Sequence, residues 1–342
     1  MDCQQLVNKI TSRIHDVYAK HLSYAGRLQI IMASVLKEID KKCREFLWGA
    51  FEEKRKIALV AWDKICMPKK NGGINIKGCS KWNIASVGKL LWQVASKKDI
   101  LWVKWVNGIY LKSEENIWEH IPPGDCSWYW KKLNSLKTQM VDWYQGDRYK
   151  LTPTGAYSVS RSYETMLGTM PRFGEADLVW SKIMIPRQRM IVWLACQNRL
   201  LTKERLTRLN IQVDDQTCCL CDAAVIETQS HLFADCQWIS GIRNTLSTWL
   251  GIPILCQGVH DTIRWIKRRR WKQFQKEIVT TIWGALIYYT WQARNWKIFK
   301  EENVNKEFVT VQIQKEVRER LGMLNCSKRA RRCQVLIQRL CN

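Results

Sequence analysis

The stretch TCCLCDAAVIETQSHLFADC, residues 217–236, places Cys218 and Cys221 with two residues between them, then nine residues, then His231 and Cys236 with four between. Two thiolates at that spacing can both turn inward from one tight loop. A His and a Cys five positions apart can complete a tetrahedron from the first turn of a helix. Three sulfur donors and one nitrogen make a closed structural Zn²⁺ site with no position left for a catalytic water. Cys219 lies inside the first pair and can take the place of Cys218 in register. The window holds four of the chain's 14 cysteines and one of its five histidines, which favours a metal over a chance cluster of buried free thiols. A thioredoxin-like redox pair would need a βαβ surround, and none is legible here.

Immediately upstream, Gln212-Val213-Asp214-Asp215 has the outline of paired carboxylates that hold two Mg²⁺ ions. The aromatic expected at its first position is missing, and no other carboxylate-bearing strands surround it. A solvated turn leading into the cysteine loop is the expected structure. Gly-rich phosphate loops and a GxSxG elbow are absent. Further back, residues 177–209 read as helices broken at Pro186. Residues 149–160 carry turn residues flanked by β-formers, which suits a short hairpin. IPPGD (121–125) is a turn.

The amino-terminal third reads as helical. Leu6, Ile10, Ile14 and Val17, then Leu28, Ile31, Val35 and Ile39, recur at helical spacing, and the breaker MPKKNGGIN (67–75) separates them from a helical stretch over roughly 80–112. There Trp82, Trp92, Trp102 and Trp105 form an aromatic set expected to pack a core in preference to stacking on bases. Downstream of the cysteines, residues 261–342 read as basic helices, one around 263–300 and one around 304–324, followed by a tail. The apolar run Ile278–Trp291 falls short of the ~20 residues a membrane span requires, so a buried helix is expected there.

The chain has 342 residues, 19 of them Trp, and a formal net charge of +24. The charge divides as +9 over residues 1–120, +3 over 121–260 and +12 over 261–342. Such a balance points to an anionic partner. Lys267, Arg268, Arg269, Arg270 and Trp271 form one basic-aromatic run, and Lys328, Arg329, Arg331 and Arg332 a second. Both suit phosphate neutralisation with stacking, and both also suit a solvated helix face or a nuclear-import signal. The first residues, MDCQQLVNKITSR, carry no apolar run of the secretory type, and the scattered cysteines fit a reducing compartment.

The whole pattern resembles the carboxy-terminal part of plant non-LTR (LINE-type) retrotransposon reverse transcriptases. The resemblance runs through LSYAGRLQII (22–31), REFLWG (44–49), VAWDKICMPKKNGGINI (60–76), NIASVGKLLW (83–92) and LWVKWVNGIYL (101–111). It continues through TGAYSVSRSYETML (154–167), VWSKIMIPRQRMIVWLACQNRLLTKERL (179–206), ETQSHLFADC (227–236) and TWQARNWKIF (290–299). It implies a thumb or connection-like region before a reverse-transcriptase zinc-binding domain whose ligands are Cys218, Cys221, His231 and Cys236. In that family the catalytic carboxylates stand on a palm upstream of these blocks, so none is expected here, and residues 240–342 lack the spaced carboxylates of a ribonuclease H.

The expectation is therefore a mainly α protein. Residues 1–120 form a thumb/connection-like helical remnant, 121–260 the zinc-binding domain with its core about 154–243, and 261–342 a basic helical tail. A structural zinc ion is expected, with RNA or DNA as partner at low sequence specificity, no membrane, and an intracellular, nuclear setting. The function expected is non-catalytic nucleic-acid binding. The alternatives are a piece of an active polymerase or a relic without nucleic-acid binding.

Overall fold

The computed structural model describes residues 35–49, 57–112, 116–145, 148–254, 258–324 and 328–341. The helical pattern from Leu6 to Ile31 and the block 22–31 lie outside the described residues. The chain divides into two compact units, Met1–Pro171 and Arg172–Asn342.

The first unit contains α1 (Leu36–Leu47), α2 (Trp62–Cys66), α3 (Cys79–Ala95) and α4 (Leu101–Val106), the last continuing into a π-helical turn over Asn107–Leu111. Then come α5 (Trp128–Ser135), α6 (Lys137–Met140), an antiparallel pair β1 (Tyr144–Gln145) and β2 (Arg148–Tyr149), and α7 (Val159–Met166). The strand pair precedes the stretch in which a hairpin was expected. Gly155 adopts a left-handed φ of 72° and the Thr152 hydroxyl bonds the Ala156 carbonyl, so the backbone after Tyr149 turns instead of pairing.

Helix α3 organises this unit, packing against α1, α4, α5 and α7. Leu91, Val94, Val103, Val106, Trp130, Leu133, Met140 and Tyr149 fill the core. Gly88 is small because a Cβ there would run into the side chains of Met140 and Tyr157. Tyrosines tie α7 and its lead-in to α3. The Tyr157 hydroxyl donates to the Ala85 carbonyl at 2.6 Å, and Tyr163 accepts from the Gly78 N–H at 3.0 Å. Burial raises both phenols above their ordinary pKa. Trp82 packs edge-on to Tyr163 and Trp92 against Tyr157. These two rings serve packing, as expected, while Trp105 stays 55% exposed.

The second unit contains α8 (Ala176–Val179), α9 (Pro186–Cys196), α10 (Lys203–Arg208), a π-helical turn over His231–Asp235, and α11 (Gln237–Leu250). It continues with α12 (Val259–Arg268), α13 (Gln273–Lys300), α14 (Lys306–Leu324), α15 (Lys328–Arg331) and α16 (Gln334–Cys341). The helices of this stretch are separated ahead of Pro186, as expected, and Pro186 starts α9. Its fixed φ suits the first helical position, where no N–H is needed.

The 28-residue α13 is the axis of this unit, about 42 Å long at 1.5 Å per residue. It packs against α8, α9, α11, α12 and α14, so its apolar residues are covered on several sides. Ile278, Ile282, Trp283, Ala285 and Leu286 are all fully buried. The hydroxyls of Thr280, Thr281 and Thr290 bond carbonyls one turn back at 2.8 Å, which satisfies them inside the core. Gly284 admits Met184 and Val192 against the helix backbone. No helix among the described residues is long and apolar enough to cross a membrane.

Ile117 and Trp130, on either side of position 120, lie in one apolar core. Across position 260, α11 and α13 pack directly.

Candidate metal centre

The base of the cysteine loop is a narrow antiparallel turn. Cys218 N–H donates to the Val225 carbonyl at 2.8 Å, Glu227 N–H to the Gln216 carbonyl at 2.9 Å, and Thr217 bridges Ile226. Ala224 takes a left-handed φ of 48° to close the tip. The second pair of donors comes from the π-helical turn, which the Thr228 hydroxyl opens by accepting from His231 N–H at 2.9 Å. Cys236 N–H bonds the His231 carbonyl, and α11 starts at the next residue.

These two segments bring one ligand atom each from Cys218, Cys221, His231 and Cys236 within 4.8 Å of one another. The Cys218 and Cys236 sulfurs are 3.9 Å apart, and the Cys221 sulfur is 3.3 Å from His231 Nε2. Tetrahedral zinc sets edges of about 3.8 Å between sulfurs and about 3.6 Å between sulfur and nitrogen, so the donor set fits the ion in identity and in spacing. Backbone hydrogen bonds from Leu220 to Cys218 and from Trp238 to Cys236 favour thiolates. The Cys218–Cys236 contact raises the Cys218 thiol and lowers that of Cys236. With four protein donors the ion supplies cross-linking and no open coordination position.

Cys219 turns the other way. Its sulfur lies 4.0 Å from the Glu227 carboxylate, and burial followed by that carboxylate pushes its thiol up to about 11. Register therefore places Cys218 in the array and leaves Cys219 outside it.

The sequence reading missed what holds the loop. Glu227 is fully buried and Arg294 is 3% exposed. Arg294 donates from Nη2 at 2.8 Å and from Nε at 3.1 Å to Glu227 Oε1. Glu227 also accepts from Lys203 N–H at 2.9 Å, while Lys203 Nζ reaches the Thr217 carbonyl at 2.8 Å and Asp215 Oδ2 at 3.0 Å. Removing one partner of such a buried pair strands the other charge, at a cost of about 3–5 kcal/mol. The available signal was Arg294 itself, a charge between the apolar residues of a helix that had to find a partner.

The Asp214–Asp215 pair forms the expected turn. Asp215 Oδ1 accepts from Thr217 N–H at 2.8 Å and from the Thr217 hydroxyl at 2.7 Å, and these bonds, with Lys203, hold its carboxyl down at about 2.

The two basic runs meet at the opposite end of α13. Lys267 through Arg270 close α12 and turn toward α13, and Lys272 Nζ donates to the Arg332 carbonyl at 2.7 Å. Lys267 pairs with Asp177 at 3.1 Å, and Arg329 pairs with buried Glu277 over the Phe274 ring. Lys328 is the first residue of α15. Arg268, Arg269, Arg270, Arg331 and Arg332 are exposed and make no ion pair among the described residues. The Arg269 guanidinium lies 4.5 Å from the Trp265 ring centroid, and Trp271 meets Trp265 edge-on at 5.5 Å.

Residues 157–242 match the family of zinc-binding domains in reverse transcriptase. A protein of Arabidopsis thaliana named as a ribonuclease H protein is 31% identical over 166 residues, covering 42% of this chain and 27% of that protein. The chain thus spans about a quarter of the length of the curated relative it matches. No solved structure matches it. Matched segment and four-donor array together identify residues 157–242 as a zinc-binding domain of the reverse-transcriptase kind.

Proposed function

We propose that this chain binds RNA or DNA without catalysing a reaction on it, using the arginine surface at the amino-terminal end of α13. The observation that carries this reading is convergence. Two basic runs about sixty residues apart come together through Lys272 and the Arg332 carbonyl, and five guanidinium groups there make no ion pair among the described residues. Arginines without carboxylate partners beside half-buried Trp265 and Trp271 suit phosphate contact with adjacent stacking. The metal centre supports this surface from a distance, as a staple for the helix whose amino-terminal end lies beside it. The same basic runs support a nuclear setting.

The test is fluorescence anisotropy of the zinc-loaded chain with a labelled 20-nucleotide single strand and with a duplex, across a salt series. Binding should weaken steeply with salt, with a log–log slope of about 0.7 to 0.9 per phosphate neutralised and little dependence on sequence. No binding at low salt by folded, zinc-loaded protein overturns the reading.

A second reading has support in the longer Arabidopsis relative. In it, the same surface works beside a catalytic domain of a larger polypeptide. It predicts that the chain, added in trans, raises the template affinity of a polymerase that lacks this region.

A further inference from the structure

We propose that Glu227 and Arg294 are the positioning pair of the metal centre. Neither donates to the ion, yet together they fix the Cys218–Cys221 loop where the His231–Cys236 turn can meet it. This inference stands whether or not the chain binds nucleic acid.

The two halves of the array are supported differently. The His231–Cys236 half is carried by regular structure. Leu232, Phe233 and Ala234 are buried, Arg243 donates to the Ala234 carbonyl at 2.8 Å, and Gln229 reaches back to the Ala195 carbonyl at 3.0 Å. The Cys218–Cys221 half has little of this. Asp222, Ala223, Ala224, Val225 and Ile226 are all exposed, so the tip of the loop buries almost no apolar surface. Its hold on the rest of the unit is polar and lies at its base.

Glu227 closes that base and turns its carboxylate inward, where it receives the Arg294 fork and the Lys203 N–H together. Lys203 then grips the opposite strand of the turn through the Thr217 carbonyl. Arg294 is itself immobilised, with Trp291 at 4.9 Å and Asn295 Oδ1 accepting from Nη1 at 3.0 Å. A buried ion pair is not an economical way to stabilise a core, since apolar residues of similar volume often serve better. What a bidentate guanidinium–carboxylate pair adds is a fixed direction. Here that direction sets the register in which Cys218 faces the array and Cys219 faces away.

The experiment uses the full chain in three variants: Glu227→Gln, Arg294→Lys and, as control, Glu316→Gln. Glu316 is also a buried carboxylate of the second unit, bonded to Gln188, Arg187 and the Tyr289 hydroxyl, but it touches neither half of the array. Zinc affinity is read by competition with a chromophoric chelator, and site geometry by the visible absorption of the Co²⁺-loaded protein. Glu227→Gln and Arg294→Lys should weaken zinc binding about ten- to a hundredfold and broaden the tetrahedral Co²⁺ band. Glu316→Gln should lower the melting temperature and leave zinc affinity within about twofold, since ligand orientation is untouched. Should Glu227→Gln fail to fold, Arg294→Lys decides, because it keeps the charge and loses the fork. A folded Glu227 or Arg294 variant with unaltered zinc affinity overturns the proposal, as does a Glu316→Gln protein that loses zinc equally.

Discussion

At the carboxy-terminal end of α13, Arg294 is buried, paired and surrounded by ligand-bearing segments. At the amino-terminal end, some 22 residues or about 33 Å away, Arg268–Arg270, Arg331 and Arg332 are exposed and make no ion pair among the described residues. One residue type serves two purposes near the two ends of one helix. Buried arginine fixes geometry because its fork must be matched, whereas exposed arginine keeps its charge available because nothing nearby neutralises it. Neither role can be read from net charge, which counts both alike.

The comparison can be broken most forcefully at the metal. Zinc removal by a chelator, or paired His231→Ala and Cys236→Ser substitution, should unfold the Cys218–Cys236 region with a large loss of stability, since metal affinity in such sites is folding free energy. Circular dichroism and near-ultraviolet signals with and without chelator check this. If the two ends are separable, helical signal from the amino-terminal part of α13 should outlast the loss of metal.

Next in size is a cavity at mid-helix. Trp283→Ala should cost about 3–5 kcal/mol in denaturant unfolding, because Trp283 is 1% exposed at the centre of the core. A change confined to one end would show that the helix does not couple them.

A smaller effect should follow Arg268, Arg270, Arg331 and Arg332 all changed to Gln. Stability should change by less than about 0.5 kcal/mol for each surface position, while the salt slope of nucleic-acid binding should fall by about 3 to 4 if each contacts one phosphate. An unchanged slope in anisotropy titrations would detach this surface from binding. The smallest effect belongs to Asp215. Its carboxyl is depressed to about 2 by bonds with Thr217 and Lys203, so its contribution is present above the unfolded value near 4 and lost as pH falls through 2. In Asp215→Asn, melting curves between pH 2 and 5 should lose that acid-side slope and otherwise overlay.

Much of the metal end was legible because coordination chemistry constrains spacing. Cys218, Cys221, His231 and Cys236 are close in sequence, and the local turn that joins them is fixed by its own backbone bonds. The partner of Glu227 was not legible, since Arg294 lies 67 positions away and nothing local announces a long-range pair. The same holds for the meeting of the two basic runs, which needs the turn between α12 and α13. Pro186 marks a helix boundary legible from sequence, because its ring is excluded from helix interiors and favoured in a first turn. The expected hairpin was displaced because Tyr149, taken as its first residue, is buried as the last residue of the strand pair.

The burial of Arg294 also bears on where the protein can be cut. The segment that carries the family match, residues 157–242, runs across the boundary between the two compact units. Its first helix is fastened to α3 by Tyr157 and Tyr163, and the counter-ion of its buried Glu227 lies outside it, on a helix beginning at residue 273. Excised alone, it would carry four good zinc donors on a scaffold missing both its front anchor and its charge partner.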